Sequence, residues 1–161
     1  MEFTIYTDGG CSGNKRDAGC NGAWGYIILD SGNNIIRKDC DLEPNTTNNR
    51  MEMMAVIKGM RVLSNYAELF YGGSKIHDCL VISDSKYVIN NYNDYIPEWE
   101  SNGWKKSGGG NVLNVDLWKE IRSLSPEFKS FQFKWVKGHS TNKFNQEADA
   151  LVRSLLYQTE V

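Results

Sequence analysis

The stretch Asp78-Cys79-Leu80-Val81-Ile82-Ser83-Asp84-Ser85 decides the fold class. Its short, continuous apolar centre is the pattern of a strand buried on both faces, the kind found inside a parallel sheet. Asp84 and Ser85 are both capable helix caps, so a helix is expected to begin near Lys86-Tyr87. A buried strand that hands straight over to a helix implies an α/β chain. It also leaves Asp84 at a strand's carboxyl end, where open α/β sheets gather their ligands.

Upstream, residues 3–7 are rich in β-formers and run into Asp8-Gly9-Gly10. The paired glycines predict a sharp turn there, and with it a second acidic residue at a strand's end. Residues 23–29 predict another strand, Ser31-Gly32-Asn33-Asn34 a hairpin turn, and residues 35–41 a third strand, together an antiparallel meander. Residues 44–49 hold several possible N-caps ahead of Arg50-Met51-Glu52-Met53-Met54-Ala55, good helix formers that continue towards Leu63 with Glu52 in the first turn.

Downstream, residues 92–110 are dense in aromatics, Asn and Gly and predict a short helix followed by a loop. Residues 114–124 carry Val115, Trp118, Ile121 and Arg122 at helical spacing, and residues 131–136 alternate as a half-buried strand. Residues 138–142 form a polar loop, and residues 144–157 predict an amphipathic helix bearing Asp149. The order β-β-β-α-β-α-α-β-α predicts a mixed sheet with helices on both faces.

With 161 residues, 40% of them hydrophobic and 24% charged, the chain has the material for a single globular domain over 1–161. No apolar run approaches the ~18 residues of a membrane span, and the opening segment turns acidic before a signal-peptide core could form, so a cytoplasmic monomer is expected. Cys11, Cys20, Cys40 and Cys79 are scattered, without a Cys-x-x-Cys pair or a histidine at zinc spacing. In a reducing compartment they are expected as free thiols. The net charge of −2 runs against the basic footprint usual for a nucleic-acid binder.

Four carboxylates, Asp8, Glu52, Asp84 and Asp149, stand in polar surroundings near element termini. Each alone has an ordinary structural reading as a turn residue, a helix cap or a solvated helix charge. Were they to converge, they would repel and raise one another's pKa values unless cations shared the space. His139, in Gly138-His139-Ser140-Thr141-Asn142, reads alone as an exposed loop histidine, and His77 as structural.

Thr7-Asp8-Gly9-Gly10-Cys11-Ser12-Gly13-Asn14, Thr47-Asn48-Asn49-Arg50-Met51-Glu52, Ser83-Asp84-Ser85-Lys86-Tyr87-Val88 and Trp135-Val136-Lys137-Gly138-His139, with Asp149 ten residues further on, follow one another in a distinctive order. In this order they resemble the signature of the type 1 ribonuclease H family. Gly103-Trp104-Lys105 and Asn114-Val115-Asp116-Leu117-Trp118 match it as well, so the resemblance runs from residue 3 to about residue 155.

The resemblance implies the ribonuclease H-like fold with a five-stranded mixed sheet. It implies an endonuclease that hydrolyses the RNA strand of an RNA–DNA hybrid without strong sequence preference, leaving 5′-phosphate and 3′-hydroxyl ends. By the same resemblance Asp8, Glu52, Asp84 and Asp149 hold two Mg²⁺ ions, or Mn²⁺, with Asp8 bridging, Glu52 and Asp84 completing one site and Asp149 the other. His139 assists proton transfer or product release. Asn14, Asn48 and Asn49 touch the RNA strand, Thr47 and Asn114 bind a DNA phosphate, Tyr95 and Trp104 flank the DNA strand, and Gly9 and Lys105 are further substrate-binding residues, although Trp104 suits a core position equally.

Two divalent cations carry +4 and would turn the net charge of −2 into about +2. Arg50, Lys58, Arg61, Lys105, Lys106, Lys134, Lys137 and Lys143 are available to line a groove for the backbone, or to act as solubilising charges. Trp99-Glu100-Ser101-Asn102 lacks the lysines common there in bacterial relatives, and the stretches 11–22 and 65–76 look longer than in compact ones. Two other readings stay open: a DNA-strand nuclease or transferase on the same fold, and a non-catalytic hybrid-binding module. The asparagine-rich approach to Glu52 speaks against the first, the full set of four carboxylates against the second.

Overall fold

The structure, a computed structural model, describes residues 1–15, 19–138 and 141–157. Strands β1 (Glu2–Lys15), β2 (Gly19–Leu29) and β3 (Ile35–Thr46) form the meander. Helix α1 (Asn48–Phe70) leads to strand β4 (Asp78–Ser83), then helices α2 (Lys86–Asn90), α3 (Ile96–Ser101) and α4 (Val115–Leu124). Strand β5 (Ser130–Trp135) and helix α5 (Lys143–Leu156) follow. The strands make one five-stranded sheet in the order β3-β2-β1-β4-β5, with β4 parallel to both β1 and β5. This is the mixed sheet that the element order predicts.

Strand periodicity builds a core on each face of the sheet. Phe3 and Ile5 of β1, Tyr26 and Ile28 of β2 and Val81 of β4 turn towards α1 and α4, where Met53, Ile57, Trp118 and Ile121 meet them. Tyr6, Ile27, Leu29 and Ile82 turn the other way, onto Ala148 of α5. With both of its faces covered, β4 has no solvent side, which is why its apolar run does not alternate.

β1 does not stop at Asp8. It passes through Gly9 and Gly10 and stays paired with β2 to Lys15, so the two glycines make no turn. What ends near Asp8 is the pairing with β4, whose last rung joins Tyr6 to Ile82. The antiparallel partner keeps β1 extended after the parallel one has left. Asp8 therefore sits in a fork between two diverging strands. β3 likewise continues to Thr46 and carries Pro44, which an edge strand tolerates because one side of its ladder has no partner. α1 outruns Leu63 because its buried stripe goes on through Ser64 and Ala67.

The expectation of four free thiols is corrected for one pair. Cys11 and Cys20 form a disulfide across the β1–β2 hairpin, their Cα atoms 5.7 Å apart, while Cys40 and Cys79 are free. No spacing rule marks a pair nine residues apart; the hairpin brings the two together. Among the described residues no helix is long and apolar enough to cross a membrane.

Candidate active site

Three elements converge on the fork. Asp8 lies on β1 just past its last rung with β4, Asp84 follows β4 directly, and Glu52 projects from the first turns of α1. Thr47 starts that helix, its side chain accepting a hydrogen bond from the Arg50 amide at 3.2 Å. α1 approaches β1 closely because Gly9 has no side chain: a Cβ there would stand closer than 3.0 Å to the backbone of Met51 and Glu52. On the far side, a Cβ on Gly138 would lie 3.2 Å from Asp84 Oδ2, so the chain leaving β5 also closes on the site.

One carboxylate oxygen from each of Asp8, Glu52 and Asp84 lies within 4.8 Å of the other two. Asp8 and Glu52 are buried, and Asp84 is half-buried. Burial, and then the charges of Asp84 and Asp149, push the Asp8 carboxyl up to about 8. Glu52 is raised well above the usual glutamate range by burial and then by Asp8 and Asp84. Its Oε1 is buried without a hydrogen-bond donor. An unpartnered buried oxygen among mutually repelling carboxylates is costly unless something positive shares the space. The all-oxygen donor set fits a hard divalent cation such as Mg²⁺ or Mn²⁺.

Asp149 stands beside this cluster and is not one of the three. Carried by α5, it lines an open cleft of about 350 Å³ together with Asp8, Gly9, Gly10 and Asn48. It also lines a polar cavity of about 220 Å³ with Asp84, Asn145 and Gln146. Arg153, one turn on, approaches it at 3.8 Å. His139 lies outside the described residues, as does the side chain of Asn14 in β1.

The other residues singled out for the substrate lie at the start of α1 and between the start of α3 and the start of α4. Thr47 and Asn48 are exposed at the start of α1, with Asn49 half-buried beside them. Asn114 begins α4 with a left-handed backbone, φ +60°. It donates to the Tyr87 hydroxyl at 2.9 Å and accepts from Arg50 at 3.3 Å. Tyr95 is exposed and stacks on Trp99, ring centroids 5.4 Å apart. Trp104 is half-buried against the main core, and Lys105 is exposed, donating to Asn111 at 3.0 Å. His77 is buried at the other end of β4, its Nε2 2.9 Å from the Tyr71 carbonyl oxygen.

Sequence reasoning missed two supports of this region. Arg50 grips Asp116 through two hydrogen bonds of 3.0 and 2.8 Å, which ties the start of α1 to the start of α4. Trp135, the last residue of β5, donates its indole N–H to the Asp84 carbonyl oxygen at 3.1 Å. The only signal for either was a residue type able to donate; the partners become visible only once the strands are in register.

The ribonuclease H family profile matches residues 1–156. The ribonuclease H of Wolbachia sp. subsp. Drosophila simulans strain wRi is 40% identical over 156 residues, which cover 96% of this chain and 95% of the relative. In structure, the chain superposes with a TM-score of 0.78 on a type 1 ribonuclease H that carries the type 2 active-site motif, at 26% identity and covering 99% of this chain and 74% of that one. A ribonuclease H1 in complex with an RNA/DNA hybrid has the same fold, with a TM-score of 0.65 at 19% identity over 94% of each chain.

Proposed function

Since the chain belongs to the ribonuclease H family, we propose that it hydrolyses the RNA strand of RNA–DNA hybrids with two divalent cations, leaving 5′-phosphate and 3′-hydroxyl ends. The observation that carries this reading is the triad of carboxylate oxygens within 4.8 Å around a buried, unpartnered Glu52 Oε1. Asp8, Glu52 and Asp84 would hold one ion, and Asp8 with Asp149 the other; Mg²⁺ suits the donors, and Mn²⁺ is accepted by the same oxygens. Bound there, the ions supply Lewis-acid activation of water and neutralise charge at the leaving 3′ oxygen.

The chain's own residues do the rest. Burial raises the pKa of Asp8 and Glu52, so both would release protons to water when a cation binds, and the loaded site would keep little charge to repel a phosphate. Asn48 and Asn49 would read the ribose 2′-hydroxyl, the group that tells RNA from DNA. Thr47 and Asn114 would take a phosphate of the DNA strand, Tyr95 and Trp104 would flank that strand, and Lys105 would line the groove for the backbone. His139 would carry a proton to or from the leaving oxygen.

Fluorescent RNA–DNA, RNA–RNA and DNA–DNA duplexes, incubated with and without Mg²⁺, test the proposal. Cleavage confined to the hybrid, dependent on Mg²⁺ and lost in Asp84→Asn while binding persists, is the expected result. Full turnover by Asp84→Asn, or preferential cutting of duplex DNA, would sink it.

A further inference from the structure

The Cys11–Cys20 bridge lies between the active-site cleft and the start of α1. Cys11 is half-buried and lines the open cleft together with Asp8, Gly9, Gly10 and Asn48. Gly22 stands opposite Cys11 on β2, and a Cβ there would come within 3.0 Å of Thr46 Cγ2 and Met51 Cγ, so the first turn of α1 packs on this part of the hairpin. Cys20 is buried, and its Sγ has a second neighbour besides Cys11, the Thr46 carbonyl oxygen at 3.2 Å. A thiol can donate a hydrogen bond across that distance, whereas a disulfide sulfur has no proton to give. Cys20 therefore has a partner in either redox state: Cys11 when oxidised and, when reduced, Thr46, which directly precedes the Thr47 cap of α1.

We infer that Cys11 and Cys20 are a reversible redox modification site, operated by small disulfides of the glutathione class, that sets the affinity for a hybrid. The inference rests on the proposed function and adds regulation to that site. In oxidation the Cys11 thiolate, reached from the cleft, attacks one sulfur of glutathione disulfide and expels a glutathione thiolate. The Cys20 thiolate then attacks the Cys11 sulfur of the mixed disulfide and expels the second. The protein gives up two electrons and two thiol protons, and one glutathione disulfide becomes two glutathione thiols. Excess glutathione runs the same steps backwards. Two features keep the dithiol within reach: the bridge spans only nine residues, so it restrains the chain less than a long-loop bridge does, and Thr46 satisfies the reduced Cys20. The covalent link is a far stronger restraint than an S–H···O contact, which is second-order. The bridged form therefore holds the cleft wall beneath Asn48 closer to one arrangement, loses less freedom on meeting a hybrid, and is the tighter binder.

The test takes the protein through glutathione to glutathione-disulfide ratios from fully reducing to fully oxidising. At each ratio the state of the pair is read by mass after alkylation, and hybrid cleavage is measured well below the melting temperature of the dithiol form, so that unfolding does not enter. The pair is expected to pass reversibly between bridge and dithiol, with KM roughly three- to tenfold higher in the dithiol form and kcat changed less. Cys20→Ser holds the higher KM at every ratio, and Cys40→Ser, which leaves the pair intact, keeps the wild-type response. A pair that stays in one state at every ratio, or a KM that ignores its state in an enzyme active on hybrids, overturns this inference alone. A wild type inactive on hybrids in both states overturns the proposed function and the inference with it.

Discussion

Gly9 lies against Glu52 so closely that a methyl group on Gly9 would stand within 3.0 Å of the Glu52 amide nitrogen. The neighbours are backbone atoms of a helix anchored by Met53, Val56 and Met60 in the main core, which cannot yield as a flexible side chain would. Gly9→Ala should therefore push α1 away from β1 and separate Glu52 from Asp8. Overpacking of this kind costs about 1–3 kcal/mol, read as a lower midpoint in urea. Activity should fall further than stability, by roughly tenfold or more, because an ångström of misplacement is expensive in a catalytic array. A Gly9→Ala enzyme with unchanged midpoint and turnover would show that the approach is softer than the geometry says.

The metal-free protein should lose stability as pH rises. Asp8 has a folded pKa of about 8, above its unfolded value, and Glu52 is shifted in the same direction. A raised carboxyl pKa means that the native state binds more protons than the unfolded one. Its contribution is fully present below pH ~4 and is lost progressively as pH climbs through the folded pKa near 8. Asp8→Asn removes the Asp8 share of this slope and one of the charges that raise Glu52, and should be more stable than wild type at pH 8 in EDTA, by roughly 1–3 kcal/mol once screening and coupling are allowed for. Mg²⁺ should reverse the order by raising the wild-type melting temperature and leaving Asp8→Asn nearly unmoved. Calorimetry at pH 5 and pH 8, with and without Mg²⁺, reads both effects.

Different parts of this site were legible in the sequence to different degrees, for physical reasons. Asp84 was the clearest, because a buried strand running into a helix fixes which end of the strand it occupies. Asp8 was placed at the correct end of the sheet on a mistaken ground: the glycines after it predict a turn, whereas the strand continues through them and Gly9 permits a helix to touch it. Convergence of Glu52 with the other two depends on how α1 crosses the sheet, which local pattern does not encode, and the family resemblance supplied it. The Cys11–Cys20 pair and the bond from Trp135 to Asp84 were out of reach, since both join neighbours created by strand pairing.

That disulfide should stabilise the hairpin beside the active site. A bridge closing a loop of about ten residues is worth roughly 2–3 kcal/mol by the chain-entropy estimate. Cys11→Ser/Cys20→Ser should unfold at correspondingly lower urea, and dithiothreitol should bring the wild type down to the level of the double variant. Cys79, buried in the main core with its thiol pushed well above the ordinary range by burial, should resist iodoacetamide in the folded protein, whereas the half-buried Cys40 should react. Equal midpoints with and without dithiothreitol would mean that the bridge contributes nothing.

Asn114 combines an unfavourable backbone with a useful side chain. At φ +60° it sits where a Cβ is disfavoured, and Asn accepts this conformation more readily than most residues. Its amide meanwhile joins Tyr87 to Arg50, and through Arg50 to Asp116, at the place proposed for a DNA phosphate. Asn114→Ala should pay for both losses, at about 1–2 kcal/mol of stability. Asn114→Gly relieves the backbone and should lie closer to wild type in stability. Hybrid affinity separates the two effects, because both variants lack the side-chain amide proposed to touch the phosphate: both should bind a hybrid several-fold more weakly, to a similar extent. If Asn114→Gly instead restores affinity along with stability, the contribution of Asn114 is its backbone conformation, and the phosphate contact must be sought on Thr47 and Arg50 alone.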